Sequence, residues 1–149
     1  MEFALLAPVL FFLLLGTLEV GMVGMMTSAL DNAVVDAARA IRTGREDGPS
    51  SASEFEGWIC SRMGGDPDEC RERLVVSVRR FDGFAEAREV EADNPTGFFD
   101  KGSAGDILLV RANYRWSLIT PMTAQVWRRT GATEVTLDAR AAFKNEPFE

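Results

Sequence analysis

Hydrophobic and polar positions divide this chain into three stretches. From Phe3 to Leu18 there are 16 consecutive residues without a charge; Glu19 interrupts, and Val20 to Met26 resumes the apolar run. The 24 residues from Phe3 to Met26 span about 36 Å as a helix, against a hydrocarbon core of roughly 30 Å. In lipid the helix is the only open-chain conformation that satisfies its own backbone groups, so the run reads as a transmembrane helix over residues 1–26. Pro8 lies inside it and removes one backbone donor, which predicts a bend or a local loosening. The pattern then changes from continuous to periodic. Val23, Met26, Leu30, Val34, Ala37, Ala38 and Ile41 recur three and four residues apart, with Asp31, Asp36, Arg39 and Arg42 mostly off the stripe. The spacing predicts an amphipathic continuation over 27–44, stopped by Gly44, so that one helix of about 63 Å starts in lipid and ends beneath a soluble body.

Residues 45–149 show shorter periods. Arg45 to Ser53 is turn chemistry, and Ser53 is the expected cap of a helix from Glu54 to Met63 that buries Phe55, Trp58, Ile59 and Met63. Gly64 and Gly65 end it, and Pro67 opens a second short helix. Leu74–Phe81, Ile107–Trp116 and Val135–Phe143 read as strands. Leu108, Val110, Ala112, Tyr114 and Trp116 share one face of the second, and Val135, Leu137, Ala139 and Ala141 one face of the third. Gly83–Gly102 reads as loop, with a helical turn available over Ala85–Val90, and Pro121–Trp127 as another short helix. Three strands with one apolar face need a covering layer, which the long helix supplies. The predicted class is α+β: a long N-terminal membrane-spanning helix packed on a small antiparallel sheet head with short helices.

Composition narrows the chemistry. The chain of 149 residues contains no histidine and two cysteines, which removes histidine-based triads, histidine general bases and the usual structural zinc sets. A net charge of −7 argues against electrostatic binding of nucleic acid. All 16 basic residues lie in 31–149, so the near-zero mean hydropathy averages an apolar rod with a charged body. Lys101-Gly102-Ser103-Ala104-Gly105 lacks the spacing of a phosphate-binding loop. Asp66, Asp68, Glu69, Asp82, Glu86 and Glu89 follow no catalytic spacing and read as a solvated face. Trp58, Trp116 and Trp127 read as core. Neither an enzyme nor a cofactor is expected.

Cys60 and Cys70 fall on successive short helices with a glycine turn between them. They form a candidate disulfide, which implies an oxidising compartment; two buried free thiols are the alternative. Arg39, Arg42 and Arg45 follow the apolar run and, counted alone, place the body on the cytoplasmic side. The first of them lies far beyond Met26 on a helix covered by the body, and the cysteine pair favours the outside. The expected location is a single-pass membrane protein with an extracytoplasmic head. Glu19 marks the end of the membrane segment at the headgroups or pairs with a neighbouring subunit; Glu2 reads as an acid at a helix start. Three readings of the rod remain: a signal peptide, disfavoured by the missing basic region before it and by the uninterrupted helical pattern; a generic anchor; and a rod that also packs between subunits.

Glu2-Phe3-Ala4-Leu5-Leu6-Ala7-Pro8-Val9-Leu10, with Leu15-Gly16-Thr17-Leu18-Glu19-Val20-Gly21, resembles the N-terminal signature of TadE-like proteins, minor pseudopilins of the tight-adherence (Tad, type IVc) pilus system. Ala37-Ala38-Arg39-Ala40-Ile41-Arg42-Thr43-Gly44 is similar to the end of the family helix, and Ala142-Phe143-Lys144-Asn145-Glu146-Pro147-Phe148 to its usual ending. The resemblance implies a pilin-like fold and a subunit that is anchored in the inner membrane, takes part in pilus assembly or initiation and later sits at the pilus base or tip. It implies Glu2, Phe3, Pro8 and Glu19 as assembly residues, with Glu2 facing the α-amino group of an adjacent subunit. Asn145, Glu146, Pro147 and Phe148 become a docking tail against the head or a partner. The implied partners are other minor pseudopilins, the major pilin, an inner-membrane assembly platform, a prepilin peptidase acting on the precursor, and the bilayer. A membrane-anchored extracytoplasmic binding or scaffold module is the competing function.

Overall fold

The computed structural model describes residues 2–45, 48–89, 97–119 and 133–147. A single helix, α1, runs from Glu2 to Arg42 and continues through Pro8. Its end is a glycine cap. Gly44 takes φ 61°, its N–H donates to the Ile41 carbonyl, and the Arg45 N–H donates to the Ala40 carbonyl. Two orphan carbonyls of the last turn are thereby satisfied, in the conformation that glycine adopts without steric cost.

Two short helices follow, α2 (Ala52–Met63) and α3 (Pro67–Arg73). The cap of α2 is Ser51 and not the expected Ser53. Ser51-Ala52-Ser53-Glu54 is a capping sequence with the glutamate three residues on: Ser51 Oγ accepts the Glu54 N–H at 3.3 Å, and the Glu54 carboxylate accepts the Ser50 N–H at 2.8 Å and the Ser50 hydroxyl at 2.7 Å. Those two donors, the backbone N–H first, hold the Glu54 carboxyl below its usual range. Asp66 caps α3, with Pro67 at its first position as expected.

The sheet is antiparallel, in the order β1 (Leu74–Phe81), β2 (Ile107–Ser117) and β3 (Glu134–Lys144). A helical turn, α4 (Phe84–Glu89), lies within the stretch read as loop. The expected helix at Pro121–Trp127 lies outside the described residues, as does Phe148.

The core forms where α1 and α2 meet one face of the sheet. Val23, Leu30, Val34, Ala37, Ala38 and Ile41 of α1 are buried together with Phe55 and Ile59 of α2 and with Val76, Val78, Leu108, Val110, Ala112, Val135, Leu137 and Ala139 of the strands. Met26, Trp58, Met63 and Trp116 are only partly buried against this cluster. The small side chains at Ala33, Ala37 and Ala38 let the helix approach the sheet closely. The opposite face is not wholly solvated: Ser77, Leu109 and Arg111 are buried there as well. The Phe98–Asp100 segment adds to β1 through a bridge at Val78, with the Val78 N–H donating to the Phe98 carbonyl at 2.7 Å and the Asp100 N–H to the Val78 carbonyl at 2.9 Å.

Candidate membrane and assembly surface

The first seventeen residues of α1, Glu2–Leu18, project from the head. Phe3 is 79% exposed, and Leu6, Val9, Leu10, Phe11, Phe12, Leu13, Leu14, Leu15 and Leu18 are exposed with it; Pro8 is exposed too. Exposed apolar area of this extent marks a surface made for lipid or for other protein. Among the described residues, α1 is the one helix long and apolar enough to cross a membrane.

The rod meets the head at Glu19. Its side chain is 1% exposed, the most buried carboxylate among the described residues, and it accepts the N–H of Ile119, just past the end of β2. Burial of a carboxylate costs free energy that hydrogen bonds must offset, and the backbone N–H supplies one. Head packing thus starts within the segment expected to lie in the membrane, on one side of the helix, while Leu18, Val20 and Met25 remain exposed on the other. The 118–119 corner is held from its other flank by the Leu118 N–H, which donates to the Thr133 carbonyl at 2.7 Å. No local signal in the sequence points to this corner, which lies a hundred residues from Glu19.

The far end of α1 is tied down by the chain's own tail. Glu146 donates its N–H to the Arg42 carbonyl at 3.0 Å and pairs through its carboxylate with the Arg42 guanidinium at 2.9 Å. Asn145 is buried; its amide donates to the carbonyls of Lys101 and Ser103 at 3.0 and 3.1 Å, and its backbone N–H to the Asp106 carbonyl at 2.8 Å. Pro147 is exposed. Asn145 and Glu146 therefore stitch the end of β3 to the end of α1 and to the 101–106 loop. In that loop Gly102 has φ 60°, and a Cβ there would lie 3.0 Å from the Asp106 carboxylate and 3.2 Å from Leu108. The loop's amides are engaged internally: the Gly102 N–H donates to Asp100 and the Ser103 N–H to Asp106.

Cys60 and Cys70 are joined by a disulfide between α2 and α3, with both residues buried. Closing so short a loop stabilises the fold by about 2–3 kcal/mol. The double replacement of Cys60 and Cys70 by serine is expected to lower stability by that amount, read as a lower urea midpoint of the detergent-solubilised chain. Reductant should shift the midpoint of the parent chain in the same direction and leave the variant unmoved.

The acids set aside as a solvated face are engaged at the surface. Glu69 pairs with Arg73 at 2.8 Å, Asp68 with Arg71 at 3.5 Å, and Glu86 accepts the Asp82 N–H at 3.2 Å. Burial raises the Glu56 carboxyl, against smaller opposing contributions from a Val76 backbone hydrogen bond and from Arg71. Trp58 lies under the Arg62 guanidinium, 4.4 Å from its ring centroid. Among the described residues these contacts make a surface laced with internal ion pairs.

No curated protein and no solved structure matches the chain. The exposed rod, Glu19 and most of the buried stripe of α1 are nevertheless contained in one matched segment: residues 1–39 match the family model of TadE-like proteins, to which this N-terminal helix is similar.

Proposed function

We propose that this chain is a minor pseudopilin that takes part in assembly or initiation of a Tad-type pilus through its apolar N-terminal helix. The carrying observation is that one unbroken helix is both the exposed apolar rod and the central element of the head's core. A separate anchor joined by a linker would hold a head near the membrane. A continuous helix instead fixes the head's position and direction relative to the rod, as a subunit needs if rods are to bundle and heads are to project regularly. The TadE-like match over 1–39 connects this helix with the Tad pilus system.

In this reading the rod is held by the inner membrane before assembly, with the head on the extracytoplasmic side, where the disulfide is stable. Other minor pseudopilins and the major pilin then replace lipid around the rod, and the assembly platform drives that exchange. Glu2 faces the α-amino group of an adjacent subunit, where opposite charges offset part of each other's desolvation. Replacing Glu2 by alanine is expected to abolish or sharply reduce surface pili, counted by electron microscopy, while the chain still fractionates with membranes. Normal piliation in that variant would remove the pairing role.

A further inference from the structure

β3 is an outer strand of the sheet, and its far side meets no described strand. Two bonds show which of its backbone groups face that side. The Thr133 carbonyl accepts the Leu118 N–H, and the Asn145 N–H donates to the Asp106 carbonyl, each in line with the β2–β3 register. Odd-numbered residues therefore turn their backbone groups toward β2. By the alternation of an antiparallel ladder, the N–H and C=O groups of Asp138, Arg140, Ala142 and Lys144 turn outward. An open strand edge of this kind is a template for a further strand.

Beside that edge, α1 and β3 flank a groove of about 450 Å³. Its lining is apolar at Val35, which is 59% exposed, at the buried Ala38, and at the half-buried Ala141 and Phe143. Arg39, Arg42 and Arg140 complete it. Arg42 is paired with Glu146, and Arg140 with Asp138 at 2.6 Å. Arg39 has no carboxylate partner among the described residues; Asp36, three residues before it, is taken by Arg62 at 2.6 Å. On a chain of net charge −7, a cation left over in an apolar groove is complementary to an acid supplied from outside.

We propose that this edge and groove receive an extended acidic segment of a different protein chain, which adds to β3 as a further strand. Apolar side chains of the segment lie over Ala141 and Phe143, and a carboxylate meets Arg39. A helix would fill the groove but leave the outward N–H and C=O groups of β3 to water. A second copy does not fit. α1 and β3 run in the same direction, since Glu19 meets the 118–119 corner at one end and Arg42 meets Glu146 at the other. Antiparallel pairing of β3 with its own copy would point the two rods in opposite directions, which two chains in one membrane cannot adopt. Parallel pairing about a two-fold axis would set Asp138, Arg140 and Lys144 each beside the same residue of the copy, like charge against like. The choice of a different chain rests on α1 lying in a membrane.

The test titrates the full chain, in nonionic detergent, against short fluorescent peptides that alternate valine with glutamate, with glutamine or with lysine, and reads binding as anisotropy. The glutamate peptide should bind saturably and about tenfold more tightly than the other two. Arg39→Glu, a change at an exposed position, should reverse the ranking of the glutamate and lysine peptides. A glutamate peptide methylated on alternate backbone nitrogens keeps its charge and loses its donors to the β3 edge; it should bind about tenfold more weakly than its parent. Absent or equal binding of the three peptides, an unchanged ranking in Arg39→Glu, or full binding of the methylated peptide overturns the proposal. A dimer in sedimentation that the glutamate peptide dissociates overturns the choice of a different chain. Fractionation of the same chain with membranes judges the membrane reading separately from all of these.

Discussion

Phe55→Ala is expected to cost about 3–5 kcal/mol, the usual consequence of emptying a fully buried aromatic site. Phe55 has no exposed surface and sits where α2 closes over the sheet, its ring centroid 6.2 Å from that of Phe99. The substitution removes apolar contact with both elements and leaves a cavity that two helices and a sheet refill only in part. Small domains are stable by about 5–15 kcal/mol, so the loss is a large share of the whole. It should appear as a marked fall in the urea midpoint, followed by tryptophan fluorescence in detergent. Phe55→Leu keeps most of the volume and should cost much less, under about 1.5 kcal/mol. Equal midpoints for Phe55→Ala and the parent chain would show that α2 is not part of the cooperative core.

The parts of this fold that the sequence disclosed are those written in short periods. β1 was expected at Leu74–Phe81 and occupies those residues; β2 and β3 extend by one residue at Ser117 and by one at each end of Val135–Phe143. The stripe from Val23 to Ile41 was legible because seven apolar side chains at three- and four-residue spacing define a helix face without any knowledge of what covers it. Local competition was harder to resolve. Ser51 and Ser53 are both chemically able to cap α2, and Glu54 is tied to the first of them: its N–H donates to Ser51 Oγ while its carboxylate accepts the N–H and hydroxyl of the preceding Ser50.

Contacts between distant residues left no comparable trace. An acid in an apolar run announces that Glu19 is unusual, but its partner is a backbone N–H, and every residue except proline carries one. Only the path of β2 brings Ile119 to it. The tail is similar: Asn145 and Glu146 gain their roles from the end of α1 and from the 101–106 loop, which are contiguous in space and not in sequence. The buried outer face at Ser77, Leu109 and Arg111 was also hidden, since β1 and β2 carry polar and apolar residues alike on that side and alternation gives no instruction for covering it.

The helix phase itself can be put to a sharper test with two neighbouring valines. Val34 has no exposed surface and belongs to the core, whereas Val35 is 59% exposed. Val34→Asp would place a carboxylate in an apolar cluster where no described cation stands ready to receive it; the cost of a buried uncompensated charge is about 3–5 kcal/mol. Valine and aspartate differ little in helix propensity, so the backbone contributes almost nothing to that figure. Val35→Asp carries the same chemistry about 100° further round the helix, on its exposed side. There the new carboxylate meets water, with Arg39 four residues after it and Asp31 four residues before it, so a favourable and an unfavourable pairing of about 0.2–0.5 kcal/mol each offset one another. The urea midpoint should therefore collapse for Val34→Asp and stay within error of the parent for Val35→Asp. Both variants should still enter membranes, because residues 2–18 are untouched. Similar losses in the two would mean that α1 turns a different face to the sheet, and the rod would then leave the head in another direction from the one on which subunit packing depends.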